Sequence, residues 1–193
     1  MGKSTLVRAI LGYLQNVRGS VRIEGREILG LPTHIIIRMG FGYAPQDAAI
    51  FGDLSVNDNL RLGAISVRDF QERRDAVLLD FPALGTRLAQ KAGTLSGGEQ
   101  KMLILARALI ASPDIVVLDE ISEGLQPSML GTVRRVIGQL RERRATLILV
   151  EQNIDLALTL ADRVALLQVG EFLFERAASD PEVRDKIVQA FVL

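Results

Sequence analysis

The segment Leu95-Ser96-Gly97-Gly98-Glu99-Gln100 constrains what this chain can fold into more than any other. Two glycines and a serine hydroxyl at a helix start turn unpaired N–H groups outward, which makes an anion site. A plain glycine turn with a serine N-cap would look the same locally. It would not explain the order of elements downstream: a helix reading through Ala111, a turn at Ser112-Pro113-Asp114, then an all-apolar strand Ile115–Leu118 ending in Asp119-Glu120. A carboxylate at the C-terminal end of a buried strand can hold Mg²⁺, directly or through water, and its neighbour can orient or deprotonate an attacking water. Taken alone, two acids at a solvated strand end would be an ordinary feature.

A further candidate anion site lies at the start of the chain. Gly2-Lys3-Ser4-Thr5 opens a stretch of helical character that stops near Gly12. Glycine lets backbone approach a phosphate, lysine reaches the β- and γ-phosphates, and a hydroxyl suits Mg²⁺. Four such residues arise easily by chance, so the segment gains weight only beside the other two.

Between these sites the texture changes. Ser20–Ile23 reads as a strand turning at Glu24-Gly25, with Arg26–Ile28 returning, and Phe41–Ala44 reads as a short strand closed by Pro45. Val56–Leu62 and Val67–Leu79 read as helices, broken by Phe81-Pro82 and Gly85. Beyond Glu120 come a helix over Ser128–Arg143, a strand Thr146–Val150, a helix Ile154–Ala161 and a strand Val164–Gln168. Short apolar strands alternating with helices predict a mostly parallel sheet covered on both faces. The basic cluster in Arg141–Arg144 reads as a solvated helix end.

Composition narrows the function. With 48% apolar residues the chain is a folded one, and 23 basic against 23 acidic residues argue against a nucleic-acid binder or a polybasic membrane surface. Without cysteine there is neither disulfide nor thiolate metal site, and the single histidine, His34, carries no assigned role. No apolar run reaches the roughly 18–20 residues that span a bilayer. A cytoplasmic protein is expected, held at the inner face of the membrane only through a partner.

Here the chain resembles the ATP-binding cassette (ABC) ATPases. Leu95–Gln100 is similar to their signature motif, and it stands between Lys3 and Asp119 in the family's order. Gln46, after Tyr43-Ala44-Pro45, is similar to the Q-loop glutamine, Glu120 to the catalytic glutamate, and Ser122–Pro127 to the D-loop. The resemblance implies an α/β P-loop NTPase fold. It would be one domain over 1–193, with a core of 1–46 and 112–193 and an inserted helical subdomain over 47–111. It implies ATP and Mg²⁺ as cofactors. Gly2, Lys3, Ser4, Thr5, Gln46 and Asp119 would bind the nucleotide, with Ser4, Gln46 and Asp119 serving the metal. Ser96, Gly97 and Gly98 would bind the γ-phosphate of ATP held by a second ATPase subunit, in a homo- or heterodimer. Glu120 and Gln152 would be catalytic, and transmembrane permease subunits would dock at Gln46 and the helical lobe.

Departures from the commonest pattern point to a subfamily. Ile121 replaces a proline, Gln126 an aspartate, and Gln152 the switch histidine; its amide still donates a hydrogen bond but stays neutral. Val150-Glu151-Gln152-Asn153 and Glu123-Gly124-Leu125-Gln126-Pro127 resemble the ATPases of branched-chain amino acid and urea importers. The competing expectations are the ATPase of another ABC system, such as a lipid exporter, and a catalytically dead interaction module or decayed fragment. The last arises because the family's phosphate loop has two further glycines, a strand and an adenine-stacking aromatic upstream of Gly2. Met1 is accordingly read as the mark of a misplaced start site or a cropped gene, and the N-terminal strands as missing. Without an inner strand this polypeptide alone is expected to be unstable, an expectation that a soluble two-state monomer would overturn.

Overall fold

The computed structural model describes residues 2–46 and 50–192. Met1, where the start-site reading rests, lies outside the described residues. Along the chain run α1 (Lys3–Ile10), β1 (Arg22–Ile23), β2 (Arg26–Glu27), α2 (Thr33–Arg38), β3 (Phe41–Ala44), α3 (Val56–Leu62), α4 (Phe70–Leu78) and α5 (Pro82–Gly85). After these come α6 (Gly97–Leu109), β4 (Ile115–Asp119), α7 (Pro127–Glu142), β5 (Thr146–Val150), α8 (Ile154–Leu160), β6 (Arg163–Gln168), β7 (Glu171–Ala177) and α9 (Val183–Val192). They fall into two units: Met1–Thr33 with Leu149–Leu193, and His34–Ile148.

The His34–Ile148 unit is built on a sheet of order β3-β4-β5, in which β3 and β4 run parallel with Phe41 opposite Ile115 and Ala44 opposite Leu118. β4 is apolar without alternation because its core is covered on both faces: Val116, Val117 and Leu118 are all buried. α6 supplies one cover, with Leu103 and Leu105 wholly buried and Ile110, its C-cap, likewise. Helix and sheet approach so closely at Gly42 that a Cβ there would lie 2.4 Å from the Ala108 carbonyl oxygen and 2.7 Å from Pro113 Cγ. Only glycine fits that contact.

In the same unit Ser55 caps α3, accepting from the Asp58 N–H. Asn59 is fully buried and fully used: it accepts from Phe51 N–H at 2.9 Å and donates to the Phe51 and Ser55 carbonyls at 3.0 Å. A buried amide is tolerable only when so satisfied. Arg73 on α4 donates to the Ala111 carbonyl at 2.9 Å, which pins the lobe to the end of α6.

The other unit holds α1, the β1–β2 hairpin, a second antiparallel hairpin β6–β7, α8 and α9. Glu27 closes the first hairpin, accepting from the Ser20 hydroxyl, Val21 N–H at 2.8 Å and Leu29 N–H at 3.1 Å. These donors, the Ser20 hydroxyl foremost, lower its pKa to about 2.

Several expectations need correcting. Val164–Gln168 belongs to an antiparallel hairpin with β7, in register from Arg163 opposite Ala177, rather than to a parallel array. The second lobe helix starts at Phe70, not Val67, because Ser66 instead folds back to accept from Arg68 N–H. The signature helix ends at Leu109 rather than Ala111.

Candidate nucleotide site

Ser96 begins the site as the N-cap of α6. Its extended backbone, at φ −62° and ψ 157°, aims the hydroxyl at the helix start, where it accepts from Glu99 N–H at 3.4 Å. Glu99 returns the contact, its carboxylate accepting from Ser96 N–H at 2.9 Å and from the hydroxyl at 2.8 Å. This capping box satisfies two groups the helix leaves orphaned. The same bonds, from the Ser96 N–H and then its hydroxyl, hold the Glu99 carboxyl below its ordinary pKa, with Arg87 at 2.9 Å adding to them. Ser96 and Gly97 stay exposed while Gly98 packs beneath Met129, so the turn presents backbone to solvent on one side only.

One helix later, β4 delivers Asp119 and Glu120 to its C-terminal end. Both are buried, at 1% and 6% exposure. Buried acids are costly unless they have partners. Gln46, just past β3, meets one of them: its Nε2 donates to Glu120 Oε2 at 2.7 Å and to Glu123 Oε2 at 3.2 Å. The parallel register of β3 and β4 brings this about, because it ends both strands at the same edge. Glu120 itself has φ +51°, a left-handed backbone that a side-chain-bearing residue seldom adopts.

Lys101 completes this cluster. It stands on α6 four residues after Gly97 and donates to the Glu123 carbonyl and, at 3.5 Å, to the Glu120 carbonyl. Sequence reasoning gave Lys101 and Glu123 no individual role in the site. The available signal was spacing, since Lys101 shares a helix face with the two signature glycines.

Of the residues singled out from sequence, Gln46, Ser96, Gly97, Gly98, Asp119 and Glu120 therefore lie in one unit. Gly2, Lys3, Ser4, Thr5 and Gln152 lie in the other. There Gly2 is the N-cap of α1 at φ +114°, a conformation suited to glycine, and a Cβ would sit 3.5 Å from Gly170 Cα. Lys3, Ser4 and Thr5 form the first helical turn. Gln152 is exposed just beyond β5, next to Asn153, which caps α8 by accepting from Leu156 N–H at 3.0 Å.

The donor set suits Mg²⁺. Within the His34–Ile148 unit, the Asp119 carboxylate and the Gln46 amide oxygen are hard ligands, and Mg²⁺ commonly takes only one or two from protein, the rest from phosphate and water. Among the described residues no three His, Cys, Asp or Glu side chains gather as a metal site, so an all-protein cage is not what these residues offer.

The sequence profile of the ABC transporter family matches residues 1–123. The chain is 41% identical to the high-affinity branched-chain amino acid transport ATP-binding protein BraG of Pseudomonas aeruginosa, over 95% of this chain and 82% of that one. It is 38% identical to the probable branched-chain amino acid transport ATP-binding protein LivF of Archaeoglobus fulgidus, over 93% and 77%. Lipopolysaccharide export ATP-binding protein LptB of Acidithiobacillus ferridurans is 32% identical, over 95% and 79%. In three dimensions the chain is similar to a nucleotide-free ATP-binding cassette from an ABC transporter, with a TM-score of 0.81 at 24% identity over 95% of this chain and 82% of that one. The profile, these relatives and the shared fold agree: the chain belongs to the ABC transporter family, as an ATP-binding ATPase subunit.

Proposed function

We propose that the chain energises import of branched-chain amino acids or of a solute of the urea-importer type, with Glu120 as the general base of ATP hydrolysis. The observation that carries the catalytic part is the 2.7 Å bond from Gln46 to the Glu120 carboxylate at the end of a buried strand. The solute class rests on similarity to BraG and LivF, which exceeds that to LptB, together with Gln126 and Gln152. A lipid exporter is the lesser reading for that reason.

In this proposal Lys3 carries positive charge to the β- and γ-phosphates, and Ser4, Gln46 and Asp119 supply the oxygens that hold Mg²⁺. Bound Mg²⁺ would neutralise charge on the phosphates. Glu120 accepts the proton of the attacking water, and burial keeps competing solvent away from it. Gln152 donates its amide hydrogen toward the γ-phosphate. Ser96, Gly97 and Gly98 present their helix start to ATP bound by a second ATPase subunit, and a helical subdomain over 47–111 receives the permease. No helix among the described residues is long and apolar enough to cross a membrane, so the proposed membrane attachment runs through that permease.

Glu120→Gln tests the assignment. The amide keeps the shape and removes the base, so turnover in the assembled transporter should fall roughly 10²–10⁴-fold while ATP binding persists. Turnover at the unmodified rate would remove Glu120 from the mechanism. Uptake of labelled leucine against labelled urea into proteoliposomes then decides the solute.

A further inference from the structure

We propose that Lys101 is a positioning residue for Glu120, tying the signature turn of the subunit to that same subunit's proposed general base. The inference rests on the assignment of Glu120 made above.

Glu120 is held in a left-handed backbone, φ +51°, immediately after β4. A non-glycine residue stays there only where its surroundings over-determine it. Two restraints do so. On the side chain, Gln46 Nε2 donates to Oε2 at 2.7 Å. On the backbone, the Lys101 ammonium donates to the Glu120 carbonyl at 3.5 Å and to the Glu123 carbonyl, while Glu123 N–H donates to the Glu120 carbonyl at 3.4 Å. The turn Glu120–Glu123 is thus closed on itself and clamped by one cation through both of its terminal carbonyls. A charge-assisted donor makes a stronger clamp than a neutral one.

The clamp comes from a particular place. Lys101 lies three residues after Gly98 and four after Gly97, on one face of α6, so its stem begins one helical turn beyond the two glycines. Any shift of the α6 start along or about its axis moves the Lys101 ammonium and with it the Glu120 carbonyl. A second contact runs beside it, because Gly98 packs against Met129 in the first turn of α7. The chemistry is that of a lever: an anion seated at Ser96–Gly98 would set the backbone under Glu120. In a transporter where two such subunits share nucleotides, occupancy of one site would thereby prepare the carboxylate serving the other.

The test uses the assembled transporter and steady-state phosphate release over a range of ATP concentrations. Lys101→Met keeps the stem and removes every donor; its expected effect is a fall in kcat of roughly 10–10²-fold with KM for ATP unchanged, the signature of lost positioning. Lys101→Arg restores donors and should recover most of the rate. In a Glu120→Gln background, Lys101→Met should cost nothing further, because the group it positions is already gone. Full turnover in Lys101→Met, a raised KM with kcat intact, or an independent loss on top of Glu120→Gln would each overturn the proposal. If Lys101→Met does not fold, Lys101→Gln, with a shorter neutral donor, takes its place with the same expectation at reduced size. Wild-type turnover in Glu120→Gln would sink the general-base assignment and this inference together. An inactive Glu120→Gln beside a fully active Lys101→Met would sink this inference alone.

Discussion

At the scale of single residues, acids are placed by the donors around them. Glu27 shows it outside the nucleotide site: with the Ser20 hydroxyl and two backbone N–H groups on its carboxylate, its pKa falls from 4.5 to about 2. A depressed carboxyl stabilises the fold above its unfolded value and loses that contribution as pH falls through the folded value. The β1–β2 hairpin should therefore loosen between about pH 4.5 and 2, the carboxylate being exposed and its effect screened by salt. Amide exchange at Val21 and Leu29 tracked through that range is the check, and protection unchanged down to pH 2 would contradict it. Glu120 is a buried acid whose partners include Gln46 and Lys101, from two distant segments of chain, beside Glu123 in its own turn. Asp119-Glu120 was legible in sequence as a pair of strand-end acids. That Gln46 would reach the second of them depends on the parallel register of β3 and β4, which no local pattern encodes.

At the scale of elements, what was readable was what turn residues or caps punctuate. β3, β4, β5, α3 and α6 lie within two residues of their expected bounds because turn residues or caps mark their ends, Pro45 after β3 and Ser55 and Gly63 around α3 among them. β7 was missed, and its burial explains why: in Glu171–Ala177 only Phe174 is even half-buried, so no alternation marks the strand. α2 and α9 were missed as well, six residues of Thr33–Arg38 and a charged stretch from Val183. Where elements touch, the structure makes sharper demands than pattern can. At Gly42 β3 passes under the end of α6 with no room for a methyl group. Gly42→Ala should destabilise the protein by about 1–3 kcal/mol through forced separation of helix and strand. Chemical denaturation measures this, and a variant of unchanged midpoint would mean that the contact yields.

At the scale of the whole molecule, the two units are stabilised unequally by their own internal packing. In His34–Ile148 α6 packs on the sheet at β3, and the unit as a whole holds most of the fully buried large side chains. In the other unit the β6–β7 hairpin leaves Phe172 and Leu173 half or more exposed. Opening free energies track such burial. Hydrogen exchange should find the slowest amides in β4 and α6 and much faster ones in β7; equal protection would show that the hairpin is covered in solution. The sequence identified the class of machine through three short motifs, since phosphate chemistry fixes those residues tightly. It proposed a core of 1–46 and 112–193 around a subdomain over 47–111, whereas the compact units, Met1–Thr33 with Leu149–Leu193 and His34–Ile148, reflect contacts summed over distant segments that no local pattern carries.

The left-handed backbone of Glu120 has a consequence for anyone who rewrites this protein. A buried acid at φ +51° is a poor choice for folding, and glycine or asparagine would suit the position better. A library screened for heat resistance alone would enrich those replacements and discard the very group proposed to split ATP. Thermostable descendants of this chain need that position frozen before the search begins.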